Sequence, residues 1–305
     1  MTHRFVPSAI GLLIVAIGLL IPPRAEAQGR GRPKVPKVAT PPATATIAPA
    51  TSPSTSTTAP APDILAPVTT LRQFGSWLDD ASAPIRGQGH TSISAGYWRM
   101  SGMSQINVPM LAAGIGVTDR MQVSASVPFY RASFQGTTVR GMDDMYLSAK
   151  YSVIDPTLTV SEFGFAVSPV VEVLSAGAPG GRLHFAVPVS VEVRRLPFRV
   201  YGSAGYFTRG SFFTGGAIEW TTPHGLMVTG TVTQSHSMKE DAVLDGLAIG
   251  RQRVDITAGM AYPVTSTAAV FMSVGRSLSS LDEGGTSLAL SGGASFSFRT
   301  AKTTP

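Results

Sequence analysis

The chain has 305 residues, no cysteine, 14% charged and 43% hydrophobic residues, and a formal net charge of +6. Without cysteine there is no disulfide framework, no thiolate metal site and no lipidated cysteine anchor. The basic excess sits in the first 64 residues, around Arg30, Arg32, Lys34 and Lys37. That placement argues against a nucleic-acid partner, which would need a basic stripe on a folded face.

Residues 1–27 read as a secretory signal peptide. Arg4 supplies the basic start, residues 9–21 are an unbroken apolar run, and Ala25-Glu26-Ala27 is a small-x-small cleavage site. The mature chain is expected to begin at Gln28. Residues 28–64 follow as a disordered linker, since every residue from 40 to 62 except Ile47 is Thr, Ala, Pro or Ser. Such a stretch buries too little apolar surface to offset its ordering entropy. Contact with the cell wall through its basic arm is one expectation for it.

Residues 65–88 form a short periplasmic segment. Within it the spacing of Leu71, Phe74 and Leu78, with Thr70 as N-cap and Pro84 beyond the end, predicts one short helix within 68–84. It is too short to stand alone, so it docks on the rim of the next domain or enters it. The sequence leaves both open.

From residue 89 to 298 the hydrophobic period is two. Leu183, Phe185, Val187, Val189, Val191 and Val193 alternate with His184, Ala186, Pro188, Ser190, Glu192 and Arg194. Twelve runs of this kind are predicted, at 89–100, 104–117, 121–134, 142–154, 160–174, 182–194, 197–207, 210–221, 225–237, 251–263, 266–277 and 286–298. All have at least the ~9–11 residues that a tilted strand needs to cross a bilayer, and an even count suits a bacterial barrel. Connections such as Thr118-Asp119-Arg120 and Asp155-Pro156-Thr157 are tight, whereas 135–141, 175–181, 238–250 and 279–285 are longer. The polar set is rich in small residues such as Ser124, Ser126, Ser291 and Ser295, which suit a crowded interior. Aromatics gather near strand ends: Phe129, Tyr130, Tyr206, Phe207, Phe212 and Phe213 at one side, Tyr151, Phe163, Phe198, Trp220, Tyr262 and Phe298 at the other. Together these predict an all-β, transmembrane, antiparallel up-and-down β-barrel of about 12 strands in a Gram-negative-type outer membrane, both termini periplasmic.

Three stretches carry a family resemblance: Gly114-Ile115-Gly116-Val117-Thr118-Asp119-Arg120-Met121, Val127-Pro128-Phe129, and Gly141-Met142-Asp143-Asp144-Met145-Tyr146-Leu147-Ser148-Ala149-Lys150-Tyr151. They resemble the strand–turn–strand pattern of the outer-membrane barrels named for the meta-pathway of phenol degradation, a transporter-like group. The resemblance implies passage of small solutes, hydrophobic ones among them. Such barrels often finish on an aromatic read by the barrel assembly machinery. Here Phe298 is followed by a tail, residues 299–305.

Sorting by face puts Asp144, Glu162, Glu172, Glu192, Glu219 and Asp255 inside, with Lys150, Arg194, Arg199, Arg251 and Arg253. These eleven are the candidate lumen residues, either as an interior salt-bridge network or as a pore lining that sets selectivity. No catalytic residue, metal site or cofactor is predicted. His90 and Ser92 share one strand face, as a nucleophile–base pair of an outer-membrane lipid enzyme would, but no orienting partner is found. His184 and His236 are isolated. Glu240, Asp241, Asp245, Asp282 and Glu283 make two outer loops acidic. The expected partners are outer-membrane lipid, the assembly machinery and a small-molecule solute. The function predicted is a passive channel or transporter, the alternatives being a structural or surface-interaction barrel tethered toward the cell wall and, second, an outer-membrane lipid enzyme.

Overall fold

A computed structural model describes residues 71–73, 76–100, 102–134, 136–159, 162–174, 181–238, 252–278 and 285–300. The signal, the linker, Arg251 and most of the three loops expected at 175–181, 238–250 and 279–285 lie outside the described residues.

The strands are β1 (Leu71–Gln73), β2 (Ser76–Leu78), β3 (Gln88–Met100), β4 (Met103–Thr118), β5 (Met121–Phe134), β6 (Thr137–Met142), β7 (Met145–Ile154), β8 (Phe163–Val167), β9 (Val170–Val173), β10 (Leu183–Ala186), β11 (Val189–Arg195), β12 (Phe198–Phe207), β13 (Ser211–Thr221), β14 (Met227–Ser237), β15 (Gln252–Pro263), β16 (Ala268–Ser277) and β17 (Leu288–Arg299). No helix occurs among the described residues. β6 with β7, β8 with β9, and β10 with β11 each make one interrupted span, so β3–β17 form twelve antiparallel spans. Two of the interruptions fall at Pro169 and Pro188, which have no N–H to give to a ladder. The ring closes where β17 pairs with β3, from Leu288↔Arg99 to Arg299↔Gln88. Both ends of the barrel therefore lie at one rim, the terminal rim; the β3–β4 and β5–β6 turns mark the opposite, loop rim.

The structure departs from the predicted elements in two places. Residues 137–142 are strand β6, paired with β5, rather than loop. Residues 71–73 and 76–78 are the antiparallel strands β1 and β2, paired from Leu71↔Leu78 to Gln73↔Ser76, and not helical turns. A lone two-turn helix has few hydrogen bonds to set against its ordering cost. As a strand, β2 instead sends Trp77 and Leu78 to opposite sides, and both find apolar partners inside the barrel. Trp77 joins Tyr146, Val170, Ala186, Phe207 and Phe213; Leu78 joins Tyr201 and Ala217.

The apolar set of the wall faces out. Leu147 is 52% exposed, Phe185 52% and Met272 56%. The alternate residues Ser148, Lys150, Ser190, Glu192, Arg199 and Arg253 are buried inside. This is the reverse of a barrel that hides an apolar core. The aromatic pairs split as a period of two demands: Tyr206 and Phe212 point out, while Phe207 and Phe213 point in, 5.4 Å apart. At the terminal rim Tyr151, Phe163, Phe198, Trp220, Tyr262 and Phe298 all face outward and are exposed.

Candidate functional site

The site is the lumen, and the protein's own chain occupies part of it. From the terminal rim residues 86 to 76 run into the barrel. At the entrance the backbone N–H of Arg86 donates to Asp119 Oδ1 at 3.2 Å, and Gly87 N–H to the Gly116 carbonyl at 2.8 Å. A Cβ on Gly116 would sit 2.3 Å from the Pro84 carbonyl oxygen, so only glycine lets the segment pass there. Gly116 and Asp119 belong to the Gly114–Met121 stretch noted in the sequence, whose turn thus receives the segment.

Deeper in, the segment lies on a web of charge. Lys150 Nζ is 3.0 Å from Asp79 Oδ1 and 2.8 Å from Asp80 Oδ1, and donates to the Ser82 carbonyl at 2.9 Å. Arg199 pairs with Asp80, with Glu192 at 2.7 Å and with Glu219 at 3.7 Å. Glu192 also pairs with Arg194 at 3.1 Å and accepts from Ser82 Oγ at 2.9 Å and Ala81 N–H at 3.1 Å. Ser152 Oγ donates to the Ala81 carbonyl at 2.6 Å, and Ala83 N–H to Asp155 Oδ2 at 3.1 Å. Further up, Ser203 Oγ donates to the Trp77 carbonyl at 2.6 Å. Three wall cations thus face two wall carboxylates and two from the segment, an excess of one negative charge.

The two segment carboxyls differ. Burial raises Asp79, and Lys150 offsets that only in part because Asp80 stands beside it. Asp80 is equally buried, yet the Lys150 ammonium and the Arg199 guanidinium together hold it well below the ordinary carboxylate range. Asp80 is the stronger anchor.

Of the eleven predicted lumen residues, Lys150, Glu192, Arg194, Arg199 and Glu219 come together in this web. Glu172 is buried apart from it, accepting from Tyr146 Oη at 2.8 Å and 3.6 Å from Arg209. Arg253 and Asp255 pair with each other at 2.8 Å, and Arg253 also donates to Thr286 Oγ1 at 2.6 Å. Asp144 is half-buried beside Asp143, and Glu162 is exposed near the terminal rim. Asp79, Asp80 and Ser82 were missed. Their signal was an adjacent acidic pair following Trp77 and Leu78 in a stretch otherwise poor in charge.

The opposite wall is different. The inward residues Ser92, Ser94, Ser124, Ser126, Ser273 and Ser291 on β3, β5, β16 and β17 remain partly exposed. Ser273 and Ser291 hydroxyls lie 2.7 Å apart and those of Ser124 and Ser148 2.6 Å apart. The segment covers β7 and β11–β14 and leaves this hydroxyl-rich side accessible. His90 and Ser92 fall on the same inward row of β3.

No family model matches the chain, and no curated protein matches it. Among solved structures it is similar to the NanC porin, at 9% identity and a TM-score of 0.49 over 68% of this chain and 98% of that one. It is also similar to the KdgM porin in complex with disordered oligogalacturonate, at 11% and 0.46 over 68% and 99%. A third is LpxR from Salmonella typhimurium, at 10% and 0.45 over 68% and 99%.

Proposed function

We propose that the chain is exported and assembles as an outer-membrane β-barrel that passes small solutes, with residues 76–86 narrowing its lumen. The observation that carries this reading is the inverted chemistry of a closed barrel, apolar outside and ionised or hydroxylic inside. In water the outer face would remain exposed at large cost, whereas hydrocarbon receives it and a closed ring leaves no unpaired edge. Aromatic rows at the rim match an interfacial girdle. Tight turns at the terminal rim support a periplasmic position for that rim and for both termini. The partly exposed serines suit small polar solutes better than the hydrophobic ones that the family resemblance suggests. Outer-membrane lipid and the assembly machinery are the partners of such a barrel, and the cell wall is a partner for residues 28–64.

A second reading rests on the same segment: a barrel that anchors the exported arm without conducting. Fractionation and solute flux separate them. The mature protein should sediment with outer membranes, migrate differently on gels when unheated, and let small sugars enter liposomes. Recovery from soluble periplasm without detergent contradicts the location; a folded barrel without flux favours the anchor.

A further inference from the structure

A cavity of about 330 Å³ opens at the loop rim, lined by Tyr97, Arg99, Met100, Met103, Ser104 and Ser133. Strand register arranges the outward residues around it in two rows. Arg99, Ser104, Ser133 and Thr138 are successive partners across β3–β6. One step toward the middle of the barrel, Tyr97, Ile106, Arg131 and Arg140 form the second row. Arg99, Arg131 and Arg140 are exposed, and none forms an ion pair among the described residues. Arg131 and Arg140 stand directly opposite each other on one face, a like-charge pairing that destabilises a sheet unless an anion joins it. Neighbouring strands are ~4.8 Å apart, so all three guanidinium groups reach one bulky anion. Beneath the two rows Leu111, Phe129 and Met142 are exposed and apolar.

We propose that this face binds the phosphorylated head group of an outer-leaflet lipid. Arg99, Arg131 and Arg140 supply forked, charge-assisted donors, Ser104, Ser133 and Thr138 supply hydroxyls, and the apolar rows below bed the acyl chains. The inference rests on the outer-membrane reading, which puts the loop rim at the cell surface. A lipid fits better than free phosphate because the cationic rows adjoin an apolar strip that a free ion leaves bare.

The test uses the full mature chain in neutral detergent, incubated with diphosphoryl lipid A, monophosphoryl lipid A or phosphatidylcholine, with bound lipid counted by native mass spectrometry. Retention should follow that order. Arg131→Gln with Arg140→Gln should weaken retention of the diphosphoryl lipid about tenfold, the scale of one lost charge-assisted contact. Arg99→Gln alone should weaken it several-fold and serves if the double variant does not assemble. Equal retention of the three lipids, or wild-type retention by an assembled variant, overturns the proposal. So does complete displacement by millimolar inorganic phosphate, which marks a free-anion site. Fractionation reads the membrane assignment separately: a soluble barrel that still retains the diphosphoryl lipid sinks that assignment and leaves the site standing.

Discussion

Lys150 is the cation on which the lumen segment most depends, since it holds Asp79 and Asp80 together and caps the Ser82 carbonyl. Removing one partner of a buried ion pair costs about 3–5 kcal/mol, because the other charge stays buried and uncompensated. Lys150→Gln is therefore expected to release residues 76–86 while the barrel stays closed, read as new protease cleavage before residue 87. Adding Asp79→Asn should restore part of the protection, since Arg199 still neutralises Asp80. Unchanged protection in the single variant would show that Trp77 packing alone holds the segment. The pH response follows from the two carboxyls. Asp80, held low, contributes fully above the ~3.9 of a free Asp and loses its contribution only as pH falls below that toward its docked value. Asp79, held high, binds a proton more readily docked than free, so docking weakens as pH rises through its docked value and gains as pH falls. Protease protection should thus hold or improve from neutral to mildly acidic pH and fail only in strong acid. Release on mild acidification contradicts this charge assignment.

At the scale of elements, strand facing is the quantity the sequence carried best. The alternation through 183–194 gives the observed faces, because the side-chain period of a strand is two and one face must be apolar. Eleven of the twelve spans fall within three residues of their observed ends, and the fourth begins five residues earlier than predicted because β6 extends it. The segment before them was not legible. Leu71, Phe74 and Leu78 fit a helix by spacing, and only the inner surface of β12–β14, assembled from distant residues, makes a strand better there. For the same reason the lumen web was half visible: wall charges could be sorted by parity, but Asp79 and Asp80 had no strand to sort them on. Parity also says nothing about room. Ser190 faces inward yet is wholly buried beside Ser203, which holds the segment. A clean facing test therefore lies on the uncovered wall. Met272→Arg, outward near mid-strand, should destabilise assembly by ~2–4 kcal/mol, the midplane penalty for Arg. Ser273→Arg, one residue on, points into the accessible side and should assemble normally. Heat-modifiable gel mobility reads both, and equal damage would contradict the register of β16.

For the whole molecule, closure and content of the lumen act together. Twelve spans with a polar interior give a cylinder that side chains alone need not fill. Here β2 and residues 79–86 take one side, and a serine-rich wall bounds the other. The web holds one carboxylate more than it has cations, so it leaves only a small negative field, and Arg253, paired with Asp255, adds no free positive charge. Weak ion selectivity is the consequence, with the segment controlling how much passes. The most direct measurement is single-channel conductance in planar bilayers, comparing the mature chain with a form lacking residues 28–86. Small conductance from the mature chain and a several-fold larger one from the truncated barrel are predicted. A truncated barrel that is folded by gel mobility and carries no current contradicts the channel.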